Sequence, residues 1–353
     1  MKVGPIVTHP TTQLGKERRP RLPAGWAGAA VAGLVAVMAL SCAAPAARSA
    51  AAPAVEDAPA AVVRTWSESG GPAPAQVAVT AATATETLPP ATTGNALPEY
   101  VGPIRGRFLE RWFDSAALER TMRYFVYLPP GYDVSGRLYP VLYLLHGASG
   151  EAEEWAAYGF LNRLDAGILA HSLNPFIAVL PEGEFGYWVN HAEGGARWGD
   201  YLTRDVVTDV DARYRTVPTP AGRAVGGLSM GGTGGLVQAF TYPSIFGVVG
   251  AHSPSLREDN SVVPFLGEGA EFAARDPVQL ARTRDGLDSL RIWLDIGEAD
   301  QFYPRAAALH GTLQERGVAH EWHPFPGEHY EGYWIEHTPD YLSFYSRALG
   351  TNS

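Results

Sequence analysis

A serine in the stretch AVGGLSMGGTGG, residues 224–235, has the surroundings of an activated nucleophile. Ser229 is the centre of a G-x-S-x-G motif, with Gly227 and Gly231 on either side of it. Such a motif can hold a serine on a sharp turn between a strand and a helix, where its hydroxyl can attack a carbonyl carbon. Glycines also permit a bend or the close packing of a helix on a sheet, so the motif alone leaves both interpretations open.

A serine hydroxyl needs a general base, and one of the 10 histidines stands where that base is expected. When the serine follows a strand and precedes a helix, the order along the chain is serine, then an acid, then histidine. His329 lies in FPGEHYEGYW, a Pro-Gly loop directly after the last predicted strand, and is the favoured base. His337, just before a predicted helix cap, is the alternative.

The acid should lie at the end of the preceding strand, where LDIGEAD offers three carboxylates. Asp295 falls inside the predicted strand, which favours a structural role. Asp300 is the favoured acid, and Glu298 in the same loop is its rival. The acid would hold the histidine tautomer and stabilise the imidazolium without taking the proton.

Two backbone N–H groups should stabilise the negative charge that develops on a tetrahedral intermediate. The first belongs to Met230, directly after the serine. The second belongs to Ala148, in the sequence HGASG after the third predicted strand.

Alternating strand and helix patterns predict the scaffold that positions these residues. Two alternating segments, 108–113 and 122–128, predict an antiparallel pair. Six apolar runs typical of buried strands follow at residues 139–147, 176–181, 223–227, 246–253, 291–297 and 319–325. Helices are predicted over 202–210, over 305–316, and from a Thr338 cap with Pro339 in first position. We therefore expect a doubly wound α/β fold, with a mostly parallel central sheet of about eight strands and helices on both faces.

A long aromatic loop, residues 184–201, follows the fourth predicted strand and is a candidate for setting specificity. Five residues are candidates for lining an acyl or alcohol pocket: Trp155, Trp188, Asn190, His191 and Trp198. The alternative is that the tryptophans pack the loop onto the scaffold. No spacing typical of a metal site or a phosphate loop is present, and acyl transfer through a serine needs neither metal nor cofactor.

The first hundred residues differ in composition from the rest. A basic cluster at residues 16–21 and an apolar run over 24–40 predict an export signal over residues 1–42. Cys42, the only cysteine, stands where a lipoprotein signal places its lipidated residue, although Leu40 is a poor match; a retained apolar anchor is the other possible tether. Residues 43–98 are rich in Ala, Pro and Thr and predict a disordered linker. Residues 99–350 would form the catalytic domain.

The formal net charge of −10, without a basic stripe in the domain, argues against a nucleic-acid partner. The predicted export signal, in turn, indicates a protein that is secreted or anchored to the outer face of a bacterial cell membrane.

Five motifs together resemble the putative esterase family: YPVLYLLHGASG, AVGGLSMGGTGG, YPSIFGVVGAHSPSL, DIGEADQFY and PGEHYEGYW. That family includes feruloyl and acetylxylan esterases, S-formylglutathione hydrolase and the antigen 85 mycolyltransferases, and the resemblance covers residues 108–349. It implies the α/β-hydrolase fold, with Ser229 as nucleophile, Asp300 as acid, His329 as base, and Met230 and Ala148 as oxyanion donors. Antigen 85 proteins carry a glutamate acid, which keeps Glu298 open. The cytosolic S-formylglutathione hydrolases lack an export signal, and this chain departs from them there.

These observations favour an exported serine carboxylic-ester hydrolase that acts on a small-molecule or polysaccharide-linked ester. An acyltransferase, in which a sugar or polyol hydroxyl replaces water, is the second interpretation. A non-catalytic, wall-tethered binding protein is disfavoured because every triad position is occupied.

Overall fold

The structure is a computed structural model, and it describes residues 103–350. The predicted export signal, the predicted linker and the first residues of the predicted domain lie outside this range. Within residues 103–350, no helix has both the length and the apolar character needed to cross a membrane.

Eight strands form one sheet in the order β1-β2-β4-β3-β5-β6-β7-β8. The first two strands pair antiparallel, β2 pairs antiparallel with β4, and all the other pairs are parallel. The strands are β1 (Arg107–Ser115), β2 (Arg120–Leu128), β3 (Val141–Leu145), β4 (Ile177–Pro181), β5 (Arg223–Ser229), β6 (Val248–Pro254), β7 (Arg291–Gly297) and β8 (Glu321–Phe325). The predicted mostly parallel sheet of about eight strands is confirmed.

Helices cover both faces of the sheet, because each face carries its own apolar cluster. Strands β3, β4 and β5 are buried along their whole length, which explains why their sequences are continuously apolar rather than alternating. The α-helices are α1 (Tyr132–Ser135), α2 (Glu154–Ala157), α3 (Phe160–Leu169), α4 (Trp198–Asp200), α5 (Val207–Arg213), α6 (Met230–Thr241), α7 (Gly269–Ala273), α8 (Pro277–Thr283), α9 (Tyr303–Glu315) and α10 (Glu331–Gly350). A π-helical segment, Tyr201–Val206, leads into α5.

The predicted start of the last helix is wrong. The sequence pair Thr338-Pro339 indicates a cap and a first turn, but α10 begins at Glu331 and contains Pro339 in its interior. The Thr338 hydroxyl donates to the carbonyl of Trp334, 2.9 Å away, so it acts within the helix. A proline inside a helix costs about 3 kcal/mol. Burial of the aromatic side chains of α10, such as Tyr333 and Tyr341, opposes that cost.

Candidate active site

Ser229 is the last residue of β5, and α6 begins directly after it. Its backbone has φ 50° and ψ −113°, a sparsely populated conformation that costs a non-glycine residue roughly 1–3 kcal/mol. A Cβ on Gly227 or on Gly231 would lie 2.4 Å from the carbonyl oxygen of Leu145. Glycine is therefore required on both sides of the serine, as the sequence predicts.

Ser229, His329 and Asp300 form one chain of hydrogen bonds. The distance from Ser229 Oγ to His329 Nε2 is 2.8 Å, and His329 Nδ1 is 2.7 Å from Asp300 Oδ2. With the imidazole proton on Nδ1, the ring donates to the carboxylate and accepts from the serine hydroxyl. The three residues that the sequence selects therefore lie together, at the carboxyl ends of their strands.

Asp300 is buried and receives two further hydrogen bonds. The hydroxyl of Ser253, at the end of β6, donates to Oδ2, and the backbone N–H of Phe302 donates to Oδ1 at 2.8 Å. The side chain of Glu298 is exposed. The carboxylate beside His329 is thus that of Asp300. No pattern in the sequence indicates the contribution of Ser253.

The two residues expected to supply N–H groups to an oxyanion are the one directly after the serine and one that lines the same cleft. Ala148 lines the same cleft as Ser229. Met230 begins α6, where the first N–H groups of a helix have no partner within it. The N–H of Gly147 donates to Glu154 Oε2 at 2.7 Å, which fixes the loop immediately before Ala148.

Trp155 packs in the protein interior next to this loop and does not line the cleft. Its side chain is completely buried, and its indole N–H donates to the carbonyl of Leu145, 2.9 Å away. Its ring packs edge-on against Phe160 and His252. The expectation that Trp155 contacts substrate is therefore not met by its position.

The other four predicted pocket residues also lie outside the cleft that contains Ser229. Trp188 and Trp198 are buried, with ring atoms lying where a Cβ on Gly183 or Gly186 would stand. These glycines leave notches that the indole rings fill, so the tryptophans pack the loop onto the scaffold.

Asn190 and His191 have local partners in the same region. Asn190 Oδ1 accepts the backbone N–H of Asp200 at 3.0 Å, and the His191 ring stacks on Phe265 with 3.8 Å between ring centres. His337, the alternative base, lies inside α10 with its ring stacked on that of Phe325.

The cleft has a volume of about 460 Å³ and is lined mainly by residues that the sequence analysis did not select. They come from the loops that follow β3, β4, β6, β7 and β8, from α2, from the end of β5 and from the first turn of α10. Besides Ser229, His329 and Ala148, the lining consists of Gly147, Ser149, Glu154, Tyr158, Tyr187, Leu228, Ser255, Arg257, Gln301, Phe302, Tyr330, Glu331 and Trp334. Most of them have no recognisable spacing in the sequence, because the loops converge only through the topology of the sheet.

A buried carboxylate beneath the site ties α10 to the sheet. Asp295 in β7 accepts hydrogen bonds from the His252 ring at 2.8 Å and from the hydroxyl groups of Tyr333 and Tyr341 at 2.9 and 3.1 Å. Burial, and secondarily the nearby Asp295 charge, raises the pKa of Tyr333, so this phenol keeps its proton and remains a donor. The predicted structural role of Asp295 agrees with these contacts.

One group of carboxylates within residues 103–350 has the spacing of a metal site. Ligand atoms of Glu151, Glu153 and Glu182 lie within 4.8 Å of one another. The Arg123 guanidinium lies 3.2–3.3 Å from each of these three carboxylates. This single guanidinium offsets only part of the three negative charges, but it already contacts each carboxylate, and we assign no cation to the group.

The sheet order, the strained serine at a strand–helix junction and the Ser-His-Asp geometry define an α/β-hydrolase. The chain belongs to the putative esterase family, whose model matches residues 115–345.

Curated relatives carry related names. Esterase Rv1288 of Mycobacterium tuberculosis is 31% identical over 241 residues, which cover 58% of this chain and 51% of that protein. An endo-1,4-beta-xylanase/feruloyl esterase of Xylanibacter ruminicola is 29% identical over 171 residues, which cover 45% of this chain and 23% of that protein. The chain spans about half the length, or less, of these relatives.

Solved structures share the fold. A ferulic acid esterase superposes with a TM-score of 0.62 at 21% identity, covering 70% of this chain and 100% of that one. An S-formylglutathione hydrolase from Staphylococcus aureus gives a TM-score of 0.56 at 19% identity, covering 68% and 98%.

Proposed function

We propose that this protein is an exported serine carboxylic-ester hydrolase that works through an acyl-enzyme intermediate. The observation that carries the proposal is the unbroken hydrogen-bond chain from Ser229 through His329 to Asp300, at the edge of an open cleft. Family membership and the names of the relatives support ester chemistry. We assign Ser229 as nucleophile, His329 as general base and Asp300 as the group that orients the base.

In the first half-reaction Ser229 Oγ attacks the ester carbonyl carbon while His329 Nε2 takes the hydroxyl proton. The N–H groups of Met230 and Ala148 would stabilise the negative oxygen of the tetrahedral intermediate. Its collapse breaks the bond to the alcohol, and His329 returns the proton to the leaving oxygen. An acyl-serine remains.

In the second half-reaction a water molecule gives a proton to His329 and attacks the acyl carbon. The second intermediate then releases the carboxylic acid and restores the Ser229 hydroxyl. A sugar or polyol hydroxyl could take the place of water by the same steps, and the protein would then be an acyltransferase.

The export part of the proposal depends on residues 1–42, with a tether through Cys42 or through the apolar segment as its anchored form. We expect the mature protein, isolated from its host, to begin after this segment, to carry a lipid on Cys42, or to be found complete in the membrane fraction if the apolar segment is kept as an anchor. Terminal sequencing, intact-mass measurement and fractionation of the cells would distinguish these forms. A protein recovered from the cytoplasm with an unmodified, complete amino terminus would contradict export.

Hydrolysis and transfer can be separated with one assay of the full-length protein. We expect p-nitrophenyl acetate, p-nitrophenyl butyrate or methyl ferulate to release alcohol and free acid in equal amounts, even with glycerol or trehalose present. Acylated glycerol or trehalose as the main product, detected by mass spectrometry, would instead establish transfer. If none of these esters released its alcohol, the result would contradict the proposed chemistry.

A further inference from the structure

Arg257 places a positive charge in the cleft, close to the proposed nucleophile. It lines the cleft that contains Ser229, and it also borders a second groove lined by Gln301 and Phe302. The backbone near Arg257 is hydrogen-bonded to the proposed nucleophile, because the N–H of Ser255 donates to the carbonyl of Ser229 at 3.1 Å.

Two aromatic side chains hold the Arg257 guanidinium in place. Its central carbon lies 4.8 Å from the centre of the Phe302 ring, and its Nη2 donates to the Tyr187 hydroxyl at 3.3 Å. The same Phe302 ring packs edge-on against His329, with 5.0 Å between ring centres. The Phe302 ring thus contacts both the Arg257 guanidinium and the imidazole of the proposed base, His329.

No carboxylate in the described range 103–350 forms an ion pair with Arg257. Its Nε is buried without a hydrogen-bond partner there. Arg305, at the edge of the adjoining groove, is different, because it is paired with Asp276 at 2.6 Å. A partly desolvated guanidinium without a counter-charge gains most from an anionic ligand.

The carboxylates that line the cleft do not supply that counter-charge. Glu154 already accepts the N–H of Gly147 and the hydroxyl of Tyr158, and Glu331 is exposed at the start of α10. Glu258 and Asp259 border only the adjoining groove. An anion in the cleft would therefore be repelled by Glu154 and Glu331 and attracted towards the wall formed by Arg257, Phe302 and Tyr187.

We propose that the ester substrate carries a carboxylate and that Arg257 binds it. This inference rests on the proposed ester hydrolysis and adds its substrate class. The guanidinium offers N–H donors in a planar fork that matches a carboxylate, which a lysine cannot reproduce. The carboxylate belongs either to the acyl part or to the alcohol part of the ester, and matched substrates distinguish the two.

The test compares anionic and neutral esters of similar size with the full-length protein. The acyl-side pair is 4-nitrophenyl hydrogen adipate and 4-nitrophenyl methyl adipate. The alcohol-side pair is 4-carboxyphenyl acetate and 4-carbamoylphenyl acetate. The measured quantity is the ratio of kcat/KM within a pair, so that a general loss of activity in a variant cancels.

In one of the two pairs we expect the wild-type kcat/KM to be about tenfold higher for the anionic ester than for the neutral one. This is the scale of a hydrogen bond to a charged group. Arg257→Gln should abolish this preference, and Arg257→Lys should retain part of it. Added salt should lower kcat/KM for the anionic ester more than for the neutral one, and this measurement needs no variant.

A wild-type ratio near one in both pairs, or a ratio that Arg257→Gln leaves unchanged, would overturn the inference. The proposed function would still stand if the neutral esters were hydrolysed in a Ser229-dependent manner. If neither kind of ester were hydrolysed, the proposed function would fail, and the inference would fail with it.

Discussion

Ser229→Ala is expected to lower kcat for ester hydrolysis by about 10⁵- to 10⁶-fold, the scale of losing the nucleophile in other serine hydrolases. Without Oγ no acyl-enzyme forms, and His329 has no hydroxyl to deprotonate at its 2.8 Å contact. Folding should be preserved, because alanine is no larger than serine. The thermal unfolding midpoint should therefore change little.

Another serine in the same cleft provides a matched control. Ser255 lines the cleft, but its hydroxyl lies 3.4 Å from that of Tyr187 and not beside His329. We expect Ser255→Ala to cost far less than Ser229→Ala, and a fluorophosphonate probe to label Ser229 in the wild type. Ser229→Ala protein that turned over esters at the wild-type rate, or a label on Ser255, would exclude the proposed nucleophile.

Asp300→Asn should reduce kcat by about 10⁴-fold, as removal of the orienting carboxylate does in a serine triad. The amide can present an N–H to His329 Nδ1, which favours the tautomer with its proton on Nε2 and removes the acceptor that Ser229 needs. Ser253→Ala should have a smaller effect of the same kind, because it removes one donor to Asp300 and leaves the N–H of Phe302 in place.

Glu298→Gln tests the rival acid in the same loop. The Glu298 side chain is exposed, so we expect activity within about twofold of wild type, the usual range for a surface substitution. A loss of several orders of magnitude in Glu298→Gln, together with an active Asp300→Asn variant, would transfer the role of the acid to Glu298.

The three residues that we propose as a triad could be selected from the sequence because their signals are local. Each signal marks the same edge of a parallel sheet. These signals are a glycine-flanked serine after an apolar strand, an acid in the loop after a later strand, and a histidine after the last strand. Geometry was needed to choose between Asp300 and Glu298, since both occupy the loop after β7. The contact of His329 with Asp300 and the exposure of the Glu298 side chain separate them.

The substrate pocket was not predictable in this way. Trp155 and Trp188 were reasonable candidates by residue type, but an aromatic side chain in a loop can as readily fill a notch over a glycine as face a ligand. Whether a tryptophan lies over Gly183 depends on long-range packing that no local pattern encodes. The start of α10 shows the same effect, because burial of its aromatic residues outweighs the local signal of Pro339.

The carbonyl of Leu145, at the end of β3, lies close to two parts of the proposed site: the turn at Ser229 and the loop that contains Ala148. It receives the indole N–H of Trp155, and it is the atom that Gly227 and Gly231 must approach without side chains. A small displacement of β3 would carry the turn at Ser229 and the loop at Ala148 in the same direction. Because β3 also pairs in parallel with β5, we expect the spacing between the attacking oxygen and the proposed oxyanion donors to change little when the two strands move together. Distant substitutions that move β3 as a unit should be tolerated better than those that separate β3 from β5.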